Sequence, residues 1–511
     1  MKAITRQRLQ KRQRKIERRL ARNRKRQTQN NRPGTVMNAH GNKYELGDKN
    51  QGMVYGGIGM MHRIAGQSGL IESIDRKLQL LKIHLPYHES DHVLNFAFNA
   101  LCEGTCLEDI ELRRQDEAFL DALGAETIPD PTTAGDFCRR FNENSVRTLM
   151  DAIDEARLNV WQQQSDDFFD EAVIDMDGTM VVTTGECKGG MDISYKGTWG
   201  YHPLVVSLAN TGEVLSIVNR SGNRTSEEGA AAEADRAKVL CQQAGFRRIV
   251  FRGDTAFSQS AHLDRWHNDG VKFFFGYQAR PNLVNTAESL AETAWTKLER
   301  PARYQVKTQP REKPKNVKRQ IIREREYVNL ELNSEEVAEF SYQPTACDRP
   351  YRMIVVKKNI TKEKGAQVLF DEVRYLFYIT NDAQATPAEV VFQCNQRCDQ
   401  ENLIAQLAGG VRALTAPVDN LISNWAYMVM TSLGWTLKAW AGLLLPVTAR
   451  WRQKHQAERR QVLGMEFKTF VNAFIKIPCQ IIRGGRRTIF RVLNWNPHLP
   501  VFFRLCAALK L

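Results

Sequence analysis

The stretch Glu171–Thr184, EAVIDMDGTMVVTT, decides the fold. Its apolar and β-branched residues read as a strand. An acid in a half-buried strand is costly unless it is paired or bound to a cation, which singles out Asp177. Asp175 lies two residues earlier and points to the same face. Gly178 lets another group approach closely, and Thr179 can add a hydrogen bond. Downstream, Tyr201–Arg220 (YHPLVVSLANTGEVLSIVNR) reads as two strands around the turn Asn210–Thr211–Gly212. A helix follows over about Ser226–Ala244. Then come the strand RRIVFRGD ending at Asp254, a helix near Gln259–Asn268 and the strand VKFFFGY. Three strands, then helix, strand, helix and strand make an α/β sheet with mixed pairing.

This rhythm stops between about Pro281 and Arg374, where charged segments alternate with β-like runs such as YRMIVVKKN. The sequence predicts a mostly β insertion here, after which the sheet resumes at VRYLFYITN. A long helix is expected from about Pro387 to Leu407. Upstream, about Gly56 to Gln164 carries apolar residues at three- and four-residue spacing and reads as helical. Within it, Asp130 and Pro131 mark a helix start that presents Arg139 and Arg140. Leu421–Leu445 is apolar enough to suggest a membrane span. Lys438 and the interspersed Asn424, Ser432 and Thr436 make a buried core helix the better reading. A basic linker, Arg450–Arg460, and a hairpin turning at Gly484–Gly485 close the chain.

Of 511 residues, 42% are hydrophobic, which supports packed cores, and the length implies several units. The net charge of +14 points to a polyanionic partner. It is concentrated at the start of the chain. Fourteen Lys and Arg residues between Lys2 and Arg32 face one acid, Glu17. Arg12, Arg14, Arg18, Arg19, Arg22 and Arg24 belong to this arm. It has few large apolar residues and is expected to be disordered when free and to bind phosphates. The ten cysteines lack zinc-site spacing, and reduced thiols are expected. Pro86 breaks the face shared by His84, His88 and His92, so ordinary structural histidines are expected there.

Two-metal phosphodiester cleavage needs acids that converge on one pocket. Asp177 in a strand, Asp254 at a strand's carboxyl end and Glu401 in the helix CNQRCDQENLIAQL are the candidates. Arg397 stands one helical turn before Glu401. It either pairs with Glu401 and orders the helix, or grips a phosphate with two hydrogen bonds.

These motifs resemble those of the DDE transposases of bacterial insertion sequences. They are most similar to the branch with a Tyr-x2-Arg-x3-Glu-x6-Lys motif, particularly the insertion-sequence thirteen-eighty group. DMDGT fits the first motif with Asp177, and VFRGDTAF fits the second with Asp254. CNQRCDQEN fits the third with Arg397 and Glu401. Cys394 replaces the Tyr and Ala408 the Lys, both phosphate contacts in the wider branch. The resemblance also takes in PYHESDHVLNFAFNALCEGTCLEDIELRR and DPTTAGDFCRRF.

The resemblance implies an RNase H-like catalytic core within the α/β class, interrupted by the β-rich insertion. A helical N-terminal domain and a mainly helical C-terminal region accompany it. The expected units are a basic arm (1–47), a helical DNA-binding domain (48–165) and core parts at 166–280 and 375–415. The insertion takes 281–374 and the C-terminal region 416–511. Two Mg²⁺ or Mn²⁺ ions are implied as cofactors, held by Asp177, Asp254 and Glu401. DNA contacts are expected from Asn395, Arg397, Arg139, Arg140 and the arginines of the arm. The implied partners are a mobile element's terminal inverted repeats and target DNA, with a homodimer assembled on DNA, no membrane, and the bacterial cytoplasm as location. Two alternatives remain: an RNase H-like nuclease without strand transfer, and a transposase-derived DNA-binding protein that no longer cuts.

Overall fold

The computed structural model describes residues 3–27, 42, 51–300, 321–322, 324–365, 367–484 and 487–511. Its centre is a nine-stranded sheet. In chain order the strands are β1 (Ala172–Gly178), β2 (Leu204–Leu208), β3 (Glu213–Val218), β4 (Ile249–Gly253) and β5 (Lys272–Tyr277). They are followed by β6 (Thr296–Lys297), β7 (Val328–Tyr342), β8 (Tyr351–Lys364) and β9 (Gln367–Thr380). Across the sheet the order is β6-β7-β8-β9-β5-β4-β1-β2-β3. β1, β2 and β3 pair antiparallel, whereas β4 lies parallel to β1 and β5 parallel to β4. Residues 204–208 of β2 are buried on both faces, as befits a strand inside the sheet.

The β-rich insertion is continuous with the core sheet, which resumes within VRYLFYITN. β9 pairs antiparallel with β5 over Phe377–Thr380, so β7, β8 and β9 extend the core sheet edge to edge. Beyond that contact β9 pairs only with β8 among the described residues, and the three long strands project as a blade. The uncovered part leaves Leu330, Leu332, Phe370 and Val373 exposed.

The upstream helices are α2 (Ile58–Gln67), α3 (Leu70–Lys77), α4 (Glu89–Leu101), α5 (Glu117–Leu123), α6 (Pro131–Arg139) and α7 (Glu143–Trp161). Asp130 caps α6 by accepting from the Thr133 amide at 3.0 Å, with Pro131 in the first turn, as the sequence indicates. His84, His88 and His92 do not share a face on one helix. His84 and His88 stack before α4, while His92 is buried against Phe137.

α8 (Ala230–Ala244) and α9 (Leu263–Asn268) link the core strands. The expected helix Pro387–Leu407 is interrupted at Arg397. It forms α10 (Pro387–Gln396) and α11 (Cys398–Ala405), followed by a wider turn over Gln406–Gly410.

α12 (Leu421–Leu443) is the apolar segment, and its residues from Ser423 onward are buried in protein. Among the described residues no helix is long and apolar enough to cross a membrane. α12 packs against α4, α7 and β3. The supposed linker Arg450–Arg460 is mostly the helix α13 (Arg452–Leu463), and α14 (Leu499–Ala508) ends the fold. Residues 51–53 pair with Cys479–Gly484 of the C-terminal hairpin, tying the two ends of the fold together. The hairpin's turn residue Gly485 lies outside the described residues.

α1 (Ala3–Gln27) is helical, where a structureless arm was expected. Its Arg, Gln, Ala and Leu residues are good helix formers. The buried Leu9 and the Arg12 bonds to the Val492 and Asn494 carbonyls (2.9 and 3.4 Å) fix one end of it.

A buried polar knot joins these layers. Glu213, fully buried on β3, accepts from Trp161 Nε1 (2.9 Å), Trp440 Nε1 (2.8 Å) and Thr211 Oγ1 (2.8 Å). It also receives Arg157 Nε at 3.3 Å, and Arg157 is paired with Asp154.

Lys438 of α12 is also buried. Its Nζ donates to the Leu463 carbonyl at 2.8 Å and sits 3.8 Å from the centre of the Trp435 ring. Burial pushes its pKa down to about 7. Between about 7 and the ordinary lysine value near 10.4, the unfolded chain holds a proton that the folded chain has lost. Stability therefore rises with pH across that window and is lowest below it, where folding must bury the charge. Lys438→Met is expected to gain most at pH 7 or below, and roughly 2 kcal/mol less by pH 9. Melting curves of the two proteins at pH 6.5 and 9 measure this. An equal difference at both pH values would show that Lys438 keeps its proton throughout.

Candidate active site

β1 and β4 run parallel with Asp175 opposite Arg252. Two residues farther on each strand come Asp177 and Asp254, so the two acids emerge side by side at the carboxyl end of the sheet. The register is locked by a buried ion pair in which Arg252 Nε and Nη2 donate to Asp175 at 2.7 and 2.8 Å. Arg252 Nη1 reaches Gln396 Oε1 at 3.0 Å, carrying the lock onto the end of α10.

The third acid is positioned by its neighbour. Gln400 is buried, and its Nε2 donates to the Val205 carbonyl at 3.0 Å while its Oε1 accepts from Ser207. Val205 is the partner of Asp177 across β1 and β2. Gln400 thus fastens α11 over the strand next to Asp177, and Glu401 is the following residue. Glu401 is exposed, and its Oε1 lies 3.5 Å from Arg397 Nη1. This is the helix-ordering contact foreseen for Arg397, and at that length it is weak.

The electrostatics join the three acids. Burial raises the Asp177 pKa to about 6, with further upward pushes from the charges of Asp254 and Glu401. The Gly178 amide and the Arg397 guanidinium pull it back. Asp177 Oδ1 accepts from the Gly178 amide at 2.8 Å, and Asp254 Oδ1 from the Ala256 amide at 2.8 Å. One oxygen of each is thereby oriented. The group that Gly178 admits is identified as well: a β-carbon there would lie 3.0 Å from His202 Nε2 and 3.3 Å from Arg220 Nη2.

The acids are oxygen donors short of positive charge, which suits a hard divalent cation. As placed, no three His, Cys, Asp or Glu side chains among the described residues stand close enough to enclose one. The donor set fits Mg²⁺ or Mn²⁺ in kind.

Asn395 and Arg397 share with Asp254, Tyr378 and Cys394 a cleft of about 410 Å³. Asn395 Nδ2 is buried with no hydrogen-bond partner among the described residues. Cys394 is buried, so it cannot take over an exposed tyrosine's contact, and Ala408 packs partly buried against the core. Arg139 pairs with Asp136 (2.7 Å) and Asp419 (3.2 Å), and Arg140 reaches the Leu80 carbonyl at 3.5 Å. These contacts lie within the helical body and not with the three acids. Arg14, Arg18, Arg19, Arg22 and Arg24 are exposed on α1, whereas Arg12 is half-buried at its docking point. The reading of the sequence missed Arg252, Gln396 and Gln400 as positioning residues. An arginine inside an apolar strand, matched by a second acid two residues before Asp177, was the available signal for the first.

Comparison with known proteins bears on this geometry. No curated protein sequence matches the chain significantly. Among solved structures, the cryo-EM structure of a piggyBac transposase synaptic complex with hairpin DNA is similar at 10% identity. It covers 83% of this chain and 84% of that one, and its TM-score of 0.36 is too low to establish a shared fold. The family described as "Transposase DDE domain group 1" matches residues 53–511, nearly the whole chain. The chain therefore belongs to the family of transposase DDE domain group 1.

Proposed function

We propose that this protein binds the terminal inverted repeats of a mobile DNA element, cuts at them and joins them to target DNA. Asp177, Asp254 and Glu401 are its catalytic carboxylates. The observation that carries this reading is geometric: in a chain of this family, Asp177 and Asp254 emerge side by side from the parallel strands β1 and β4, and Gln400 fastens the Glu401 helix to the strand next to Asp177. The strand order β3-β2-β1-β4-β5, antiparallel then parallel, supports an RNase H-like core. The motif at Arg397 and Glu401 supports the Tyr-x2-Arg-x3-Glu-x6-Lys branch and the insertion-sequence thirteen-eighty group, with Cys394 and Ala408 as departures. In this reading residues 166–280 and 375–415 form the core, and 281–374 an insertion continuous with its sheet. The helices of 48–165 carry DNA with Arg139 and Arg140 at their surface. The protein acts in the bacterial cytoplasm as a homodimer on DNA.

Two Mg²⁺ or Mn²⁺ ions held by the three acids would activate the attacking oxygen and stabilise the leaving oxygen. The chain's own residues supply position. Gln400 and the Asp175–Arg252–Gln396 lock hold the acids in register. Arg397 trades its weak contact with Glu401 for two hydrogen bonds to a phosphate beside the cut, and Asn395 offers its unpaired amide in the same cleft.

The test is an incubation of the full chain with duplex DNA bearing the element's ends, a supercoiled target plasmid and Mg²⁺. Cleavage at the ends and covalently joined products are expected, and both should vanish in excess chelator. Cleavage without joining would instead support the nuclease alternative. Binding without cleavage would support a non-catalytic descendant.

A further inference from the structure

The basic helix α1 is not uniformly charged around its axis. At 100° per residue, Arg8, Lys11, Lys15, Arg18 and Arg22 fall on one side, and all five are exposed. Leu9, Ile16 and Leu20 fall on the other. Leu9 is 7% exposed, Ile16 36% and Leu20 55%, so the helix leaves the body as it proceeds. Its root is clamped by Leu9 and by the Arg12 bonds to the Val492 and Asn494 carbonyls. Arg12 is thus a clamp and not one of the outward charges. A groove of about 620 Å³ beneath the root includes Arg6, Lys454 and Arg504. Arg504 pairs through Nη1 with Glu458 of the same groove at 2.7 Å, and its Nε and Nη2 make no hydrogen bond to any described residue.

We infer that α1 is a rigid duplex-binding helix, held at a fixed angle by the Leu9–Arg12 clamp, whose stripe of five cations lies along DNA phosphates. This rests on the proposed reading that the protein's partner is DNA. The fourteen steps from Arg8 to Arg22 span about 21 Å of helix, close to the length of six base pairs. A helix of this diameter fits the major groove. A loose polycation would need only its charge. A clamped helix also needs its angle, because holding it beforehand removes the entropy cost of ordering it on DNA.

Two variants of the full chain separate these cases. The first replaces Arg8, Lys11, Lys15, Arg18 and Arg22 by Gln. The second, Leu9→Asn with Arg12→Lys, keeps every charge but loosens the clamp. Affinity for a 30-base-pair duplex is read by fluorescence anisotropy from 50 to 300 mM KCl, and contacts by hydroxyl-radical footprinting. The first variant should lower the slope of log K against log salt by about four to five. The second should weaken binding about tenfold at 150 mM KCl and blur a protected segment of about six base pairs. An unchanged slope in the first variant would overturn the inference. So would unchanged affinity and footprint in the second, which would leave α1 a loose arm. If the second variant fails to fold, the first still decides whether the stripe touches DNA. Failure of the unmodified chain to bind duplex DNA at 50 mM KCl would overturn the DNA reading itself.

Discussion

Alanine at Asp177, Asp254 or Glu401 is expected to slow DNA cleavage by about a thousandfold or more, equivalent to roughly 4 kcal/mol of barrier. Each substitution removes oxygen donors from a set of only three acids, and two carboxylates do not make up the loss of a third. DNA binding should survive, and it should tighten slightly at low salt because a negative charge facing the phosphates is gone. Asp177 is half-buried, and its replacement also releases the Gly178 amide, so its melting temperature must be followed alongside the rate. Glu401 gives the cleaner experiment. It is exposed and makes one weak contact with Arg397, so Glu401→Ala should leave stability unchanged. A Glu401→Ala protein that still cuts at an unimpaired rate would remove Glu401 from the site and break the three-acid assignment.

The candidates Asp177 and Asp254 were legible in the sequence because acids in apolar strands are rare and expensive. Asp177 and Asp254 each mark a strand end, and the first core strands follow the expected order. How α11 is held beside β1 was not legible, since it depends on Gln400 and Arg252. Neither carries a local signal strong enough to name its partner. The insertion was read as β-rich from its composition. The return of the sheet at VRYLFYITN was legible too, since β9 pairs with β5 over Phe377–Thr380; which strand it would lie beside was not, because pairing is a long-range choice and short apolar runs do not announce their neighbours. The break at Arg397 was missed for a different reason. CNQRCDQENLIAQL has no Pro or Gly to mark it, and the anchoring of Gln396 and Gln400 to different strands is a tertiary effect. The helix of the arm is not legible from charge density, because it depends on helix propensity and on the docking of Leu9.

Glu213→Ala should destabilise the protein by about 3–5 kcal/mol, the largest stability loss expected of any single substitution here. Glu213 is fully buried and is shared by two indole N–H groups, the Thr211 hydroxyl and Arg157. Its removal leaves all these donors in a site that water does not reach, and each unpaired group costs about 1–3 kcal/mol. Arg157 keeps Asp154 but loses its second acid. Glu213→Gln preserves shape and one acceptor oxygen and should cost less. Thermal melting followed by tryptophan emission reports directly, because Trp161 and Trp440 are both partners. A Glu213→Ala protein that melts within a degree of the original would show that the knot contributes little.

The placement of the third acid after the blade has a consequence in time. During synthesis, the strands bearing Asp177 and Asp254 leave the ribosome well before β9 and α11 exist. A nascent or prematurely terminated chain that ends within the insertion can therefore hold two of the proposed carboxylates, but never Glu401 or its anchor Gln400. On the proposed assignment, a chain that ends within the insertion lacks one of the three carboxylates that cleavage needs.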